Sequence, residues 1–283
     1  ILTGSAIILH SRFDINEIMQ SINKYKPNLF MGVPAMYAAI AMRDSRDYDL
    51  SSIRACVSGS SPLPPAVQEK FQQVTGGKLV EGYGLSECSP IVTVTPIYGT
   101  VKPGSIGVPI ADTQVKIVDP QTGAEITTSG EIGELLVKGP QVMQGYWNNP
   151  AETELVLTDD GWLHTGDLVY MDDDGYIFIA DRLKDMIIMG GEKIYPRELE
   201  DFLYTHPAVK EVAVTGIPHP LRGEVPKAFV VLKDGAETTE KELRQYCLAN
   251  LSKFKVPKIE IIDALPRNAV GKVLRRVLRE EAV

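Results

Sequence analysis

Between residues 15 and 80 the sequence alternates between two hydrophobic periods, and that alternation leaves few architectures open. Ile15, Ile18, Met19 and Ile22 recur at the spacing of a helix over 15–25, and the Leu29-Phe30-Met31 run reads as a strand over 28–31. Gly32 and Val33 break that strand, and Pro34 stands at the start of a second helix over 35–42. A strand over 53–58, a helix over 65–74 and a strand over 78–80 follow. Strands separated by helices imply a mostly parallel sheet with helices on its faces, the α/β class. Ligands of such sheets sit beyond the carboxyl ends of the strands. Gly59-Ser60-Ser61 and Gly82-Tyr83-Gly84 both follow strands and are expected to line one crevice. Residues 6–9 are expected as a further buried strand. The chain starts at Ile1 in apolar sequence, without an initiator methionine or a helix cap, and reads as the later part of something longer.

From about residue 97 the texture changes to short strands and turns, at 114–118, 133–138, 168–171 and 176–180, which reads as a small antiparallel unit. Asp172-Asp173-Asp174-Gly175 is a hairpin turn on this reading, because placing Gly175 at the glycine position of a calcium loop puts Tyr170 at the first ligand position. After Asp181 come a helix over 196–204, strands over 209–217 and 225–232, a helix over 239–251, a strand over 259–262 and a basic tail, a compact α+β unit.

A net charge of -8 argues against an electrostatic grip on nucleic acid. Cys56, Cys88 and Cys247 lie far apart, with no paired spacing and no histidine cluster, so neither a zinc site nor a disulfide framework is suggested and a reducing cytoplasm fits. No apolar run approaches the roughly 20 residues of a membrane span. A cytoplasmic protein is expected, with peripheral contact at a membrane surface as the variant.

The chemistry concentrates at Glu81-Gly82-Tyr83-Gly84-Leu85-Ser86-Glu87-Cys88-Ser89-Pro90, where two glycines, an aromatic ring, a hydroxyl and a carboxylate crowd a short stretch. Strand-like residues flank it, so a strand-to-strand loop is expected. A dinucleotide fingerprint would need a third glycine where Glu87 stands. Three further clusters share this character: Asp160 to Asp167, Asp181-Arg182-Leu183-Lys184-Asp185 running on to Gly190-Gly191 and Pro196, and Leu265-Pro266-Arg267-Asn268-Ala269-Val270-Gly271-Lys272-Val273. Each alone also reads as a hairpin aspartate, a surface ion pair or a solvated lysine.

In this order the motifs Gly-Tyr-Gly-Leu-Ser-Glu, Thr-Gly-Asp, Asp-Arg-x-Lys-Asp and Pro-Arg-x-x-x-Gly-Lys resemble the AMP-forming acyl-CoA synthetases, an adenylating superfamily that includes luciferases and the adenylation domains of nonribosomal peptide synthesis. Gly145 to Pro150 and Gly32 to Tyr37 look most like the long-chain fatty acid–CoA ligases. The resemblance implies three parts: 1–96 as the remainder of a large α/β adenylation domain, 97–182 as a small β-barrel-like subdomain, and 183–283 as a mobile α+β domain with the catalytic lysine. It implies a reaction in which a carboxylate attacks the α-phosphate of ATP, giving acyl-AMP and pyrophosphate, after which the thiol of coenzyme A displaces AMP.

The residue roles it implies follow the motifs. Lys272 bridges carboxylate and phosphate oxygens, Ser86 binds phosphate, and Glu87 is the magnesium carboxylate. Adenine lies on Tyr83, between Glu81, Gly82 and Gly84 on one side and Gly59, Ser60 and Ser61 on the other, with Ile179 near the base. Asp167 and Arg182 take the ribose hydroxyls, Lys184 is the hinge, and Gly190 and Gly191 admit the pantetheine arm. Lys255 and Lys258 read either as holders of the CoA phosphates or as a solvated basic face. Met31, Gly32, Val33 and Met36 read either as acyl-pocket lining or as core.

The sequence departs from the family in two places. Ser86 replaces the more frequent threonine, and the upstream Ser/Thr/Gly-rich phosphate loop does not occur in these residues. The chain alone is therefore expected to be inactive, and the cut sheet edge makes a homodimer an expectation. An aryl-, short- or medium-chain acyl-CoA ligase and a non-catalytic nucleotide-binding fragment stay open as alternatives.

Overall fold

The computed structural model describes residues 4–268 and 273–281. Helix α1 (Ile15–Tyr25) starts where the Asp14 carboxylate accepts the N–H groups of Asn16 and Glu17, and it buries Ile18, Met19 and Ile22. Strand β1 (Leu29–Gly32) leads to α2 (Pro34–Met42), whose first-turn proline lacks only an N–H that would have had no partner there. Strand β2 (Ala55–Ser58), helix α3 (Pro65–Thr75), which ends at the left-handed Gly76, and β3 (Lys78–Gly84) complete the alternation. The three strands pair in parallel, with Gly32 opposite Ser58 and Ser58 opposite Glu81. Tyr37 is central to the core behind them. Its ring meets Phe30 and Phe71 edge-on, and the single proton of its hydroxyl is shared between the Val57 carbonyl at 2.8 Å and the Phe30 carbonyl at 3.0 Å.

The expected strand over 6–9 is absent. That segment has no regular secondary structure and no ladder partner among the described residues, and Ile7 and Leu9 are 66% and 87% exposed. An apolar run becomes a strand only where a neighbour accepts its backbone hydrogen bonds, and the sheet order begins at β1.

The sheet continues through β4 (Ile91–Val94), β5 (Ser105–Pro109), β6 (Gln114–Val118) and β7 (Gly133–Lys138). Helix α4 (Pro150–Val156) precedes β8 (Leu163–Met171) and β9 (Ile177–Arg182). Nine strands form one sheet in the order β1-β2-β3-β4-β5-β9-β8-β7-β6. The turn after β8 follows the sequence expectation. The Asp172 carboxylate accepts the N–H groups of Asp174 and Tyr176, and the Lys102 ammonium pairs with both Asp172 and Asp174, supplying positive charge itself.

The chain divides into two compact units, residues 1–165 with 169–179, and residues 166–168 with 180–283. In the second, β10 (Ile187–Met189) and β11 (Glu192–Ile194) form a hairpin, followed by α5 (Pro196–Tyr204), β12 (Val209–His219), β13 (Gly223–Leu232), α6 (Glu240–Asn250), β14 (Lys258–Ile261) and α7 (Arg275–Glu281). The strand period of two separates its faces. Val212, Val214, Ala228 and Val230 pack with Leu199 and Leu203 of α5 and Leu243 and Cys247 of α6, whereas Ala213, Phe229 and Val231 pack with Leu278 of α7. Residues 275–281, read from sequence as part of a basic tail, are thus a helix that seals the second face, with Leu278 as its buried side chain amid arginines and glutamates.

Each of the three larger cores holds one buried free thiol: Cys56 on β2, Cys88 under the antiparallel strands and Cys247 on α6. Burial pushes these thiols up to about 12, about 11 and about 11 respectively. No helix among the described residues is long and apolar enough to cross a membrane.

The outer edge of β12 is closed by charge. The Glu200 carboxylate on α5 accepts the Val214 N–H at 2.8 Å and two bonds from the Arg275 guanidinium at 2.7 Å each. Burial raises the Glu200 carboxyl above its usual range, while Arg275 and the Val214 N–H pull the other way. Arg275→Ala would strand that carboxylate. It is expected to destabilise the second unit by about 3 kcal/mol, read as a lower urea midpoint.

Candidate functional site

The carboxyl ends of the parallel strands bring the first two sequence clusters together. The Gly59 N–H donates to the Gly32 carbonyl at 3.2 Å, and a Cβ on Gly59 would lie 3.6 Å from the Gly82 carbonyl. Gly59-Ser60-Ser61 and Glu81-Gly82-Tyr83 are therefore neighbours across β2 and β3, with Ser60 in the left-handed region at φ 72°.

The glycine motif does not lie in a loop. Glu81 to Gly84 are the last residues of β3, where the strand exchanges a parallel neighbour for an antiparallel one. Ser58 faces Glu81 on one side, and Val94, Thr93 and Ile91 of β4 face Gly82, Tyr83 and Gly84 on the other. A side chain on Gly84 would overlap the Pro90 carbonyl, so the chain folds back onto its own strand only because that position is glycine. The connection itself is short: Leu85, one turn of 3-10 helix at Ser86–Cys88, then Ser89 and Pro90. Cys88 is buried and anchors the turn, which leaves Ser86 exposed and Glu87 half-buried at its head.

Glu87 is held twice by the segment before α4. Its carbonyl accepts the Met143 N–H at 2.7 Å, and its Oε1 accepts the Tyr146 hydroxyl at 2.8 Å. The bond to Glu87, with the burial and negative charge around it, holds the Tyr146 hydroxyl above the usual phenol range. Sequence reading used Gly145 to Pro150 only as a family likeness and missed this contact; a polar-tipped ring just ahead of a helix start was the available signal. A magnesium ion that travels with a nucleotide needs one or two carboxylates, with phosphate and water completing its shell. Glu87 fits that demand. No group of three or more His, Cys, Asp or Glu side chains able to cage a metal occurs among the described residues.

Asp167 lies within β8, which begins five residues before the strand expected over 168–171, and only 13% of its side chain is exposed. Arg182 ends β9, with its Nε 3.4 Å from the Asp167 carboxylate. The neighbouring Asp181 is buried and accepts the N–H groups of Arg182 and Arg197 at 2.7 and 2.8 Å, which fixes the backbone at this point. Desolvation raises its carboxyl above the ordinary range despite those bonds. Ile179 is half-buried in β9 and packs on the core under the antiparallel strands. Lys184 is exposed in a single 3-10 turn, Leu183–Asp185.

Gly190 and Gly191 form the tip of the β10–β11 hairpin at φ 61° and 94°, with open space where side chains would stand. Gly190 also lines a groove of about 490 Å³ with Met189, Arg222, Lys253 and Phe254. Lys255 and Lys258, expected either at the CoA phosphates or on a solvated basic face, stand two and five positions after Lys253. Lys255 is instead tied to the Glu198 carboxylate at 2.6 Å, and Lys258 is exposed at the start of β14. Of the acyl-pocket candidates, Met31 is 63% exposed, the Met36 sulfur and the Phe30 and Tyr37 rings crowd Gly32, and Val33 caps α2. Lys272 lies outside the described residues. Of the residues on either side, Arg267 and Val273 pair in an isolated bridge, and the Leu274 N–H donates to the Pro266 carbonyl at 2.8 Å.

Comparison with known proteins places these clusters in context. The model of the AMP-binding enzyme family matches residues 1–147, and that of the AMP-binding enzyme C-terminal domain matches residues 198–272. The chain is 52% identical over 280 residues to a long-chain-fatty-acid–CoA ligase of Bacillus subtilis, covering 98% of this chain and 50% of that protein. It is 42% identical over 282 residues to a feruloyl-CoA synthase of Amycolatopsis, covering 99% of this chain and 57% of that protein. Among solved structures, ATP-bound MatB from Rhodopseudomonas palustris superposes with a TM-score of 0.86 at 35% identity, over 96% of this chain and 54% of that one. The chain spans about half the length of the curated relatives it matches.

The glycine geometry separates two substitutions. Gly84→Ala drives a methyl into the Pro90 carbonyl and is expected to destabilise the first unit by about 3 kcal/mol. Gly190→Ala meets open space and bears only the left-handed backbone penalty, about 1 kcal/mol. Urea titrations of the two variants against the parent measure the difference.

Proposed function

We infer the function of this chain from one premise: it belongs to the AMP-binding enzyme family. We propose that it carries much of the catalytic apparatus of an ATP-dependent, AMP-forming acid–CoA ligase, with a fatty acid as the carboxylate. One observation carries the reading. A glycine strand at the switch from parallel to antiparallel pairing ends in an exposed hydroxyl, Ser86, and a fixed carboxylate, Glu87. A triphosphate needs such a place, with close backbone approach, hydrogen-bond donors and one hard anionic ligand for its metal.

In this proposal adenine packs on Tyr83 against Gly59, Ser60 and Ser61, and the Ser86 hydroxyl donates to the phosphates. Asp167 accepts from the ribose hydroxyls beside Arg182. Lys272 neutralises charge as the substrate carboxylate approaches the α-phosphate, an encounter of two anions that positioning alone does not solve. Magnesium, when bound, spreads the negative charge of the phosphate oxygens; Glu87 would hold it. The open hairpin tip at Gly190 and Gly191 suits the narrow pantetheine arm of coenzyme A, and Arg222 and Lys253 beside it suit that cofactor's phosphates. Likeness to the Bacillus ligase supports a fatty acid. Likeness to a feruloyl-CoA synthase supports an aryl acid as the second reading, and a panel of carboxylates tested on the complete gene product decides between them.

Lys272→Ala separates the half-reactions. In the longest gene product that carries this sequence it is expected to lower acyl-AMP formation by about 100-fold or more, while attack of CoA on supplied acyl-AMP stays within about tenfold of the parent. Pyrophosphate release and thioester formation, measured separately, check this. Equal loss in both would remove Lys272 from its assigned step.

A further inference from the structure

The Tyr146 hydroxyl donates to Oε1 of Glu87, and among the described residues no other side chain hydrogen-bonds to or ion-pairs with that carboxylate. Tyr146 is itself tethered. Its N–H donates to the Thr153 hydroxyl at 2.9 Å, and that hydroxyl donates to the Asn149 carbonyl at 3.0 Å within the first turn of α4. Gly145, at φ 148°, makes the approach possible, since a Cβ there would stand 2.9 Å from the Thr153 methyl. A second link runs through the backbone, from the Met143 N–H to the Glu87 carbonyl at 2.7 Å. The segment from Met143 to Thr153 therefore grips Glu87 at both its main chain and one carboxylate oxygen.

We propose that Tyr146 is a positioning residue for the Glu87 carboxylate, set by α4 through Thr153, and that it turns Oε2 toward a nucleotide-borne magnesium ion. The proposal rests on the reading of Glu87 as the magnesium carboxylate. A glutamate at the head of a short turn has several rotamers open to it, and magnesium demands near-octahedral oxygen geometry. One hydrogen bond to Oε1 selects a rotamer and leaves the other oxygen to bind as a single ligand. Loss of a hydrogen bond that orients a metal's ligand typically costs about 10–100-fold in metal affinity. Tyr146 suits the task, because its rigid ring has only two side-chain torsions.

The test uses Tyr146→Phe, Glu87→Gln and the double variant in the longest gene product that carries this sequence. ATP is titrated calorimetrically with and without magnesium, and AMP without metal. Tyr146→Phe is expected to weaken magnesium-dependent ATP binding roughly tenfold, to leave metal-free AMP affinity unchanged, and to add nothing in the Glu87→Gln background. Thr153→Val, which removes the tether but not the tyrosine, is expected to show the same pattern in weaker form. If Glu87→Gln abolishes the magnesium dependence while Tyr146→Phe leaves it intact, the positioning role falls and the functional reading stands. If Glu87→Gln leaves the magnesium dependence intact, both fall. Additive effects of the two substitutions would show Tyr146 acting independently of Glu87, which also overturns the proposal.

Discussion

The change of hydrogen-bonding partner along β3 is the constraint on which the first unit depends. A strand has two edges, and β3 gives one to the parallel β2 and the other to the antiparallel β4. Parallel pairing requires a long crossover and antiparallel pairing a short return. The two demands meet within Glu81 to Pro90, so the chain there must turn tightly and pass very close to itself. Gly82 and Gly84 satisfy that demand. A Cβ on Gly82 would stand 2.9 Å from the Val57 side chain, and one on Gly84 would overlap Pro90. The same glycines leave backbone accessible at the end of the sheet, so the topology and the ligand-facing surface have one origin.

Much of this was legible from periodicity. Helix α1 runs over the residues its spacing predicted, and α5 does the same. The failures share a cause: local pattern does not report long-range pairing. Residues 6–9 are as apolar as a strand but have no ladder partner among the described residues. Glu81 to Gly84 look like a turn because of their glycines, yet Glu81 pairs with β2 and Gly82 to Gly84 pair with β4. Gly166 and Asp167, ahead of the strand expected over 168–171, likewise belong to β8. Helix α7 was hidden for the converse reason, since it contributes only Leu278 to the interior and surrounds it with charge.

Candidate site residues were legible by motif, and their partners were not. Glu87 and Asp167 stand in recognisable strings, but the Tyr146 hydroxyl is 59 residues from Glu87 along the chain and nothing local announces the contact. In the second unit, Lys255 is paired with a Glu198 carboxylate 57 residues away, and nothing near it in sequence announces that partner. Basic residues close together in sequence look alike until their acidic partners are known.

The three buried thiols give the molecule a use beyond its chemistry. Cys56, Cys88 and Cys247 are distributed one to each large core, and all three are shielded and kept protonated by burial. A thiol in that condition reacts with an alkylating reagent only when its surroundings open. The protein therefore carries a built-in set of local clocks: labelling rates at the three positions, resolved by peptide mass, would time the opening of the parallel layer, the antiparallel layer and the smaller unit separately, without an introduced probe.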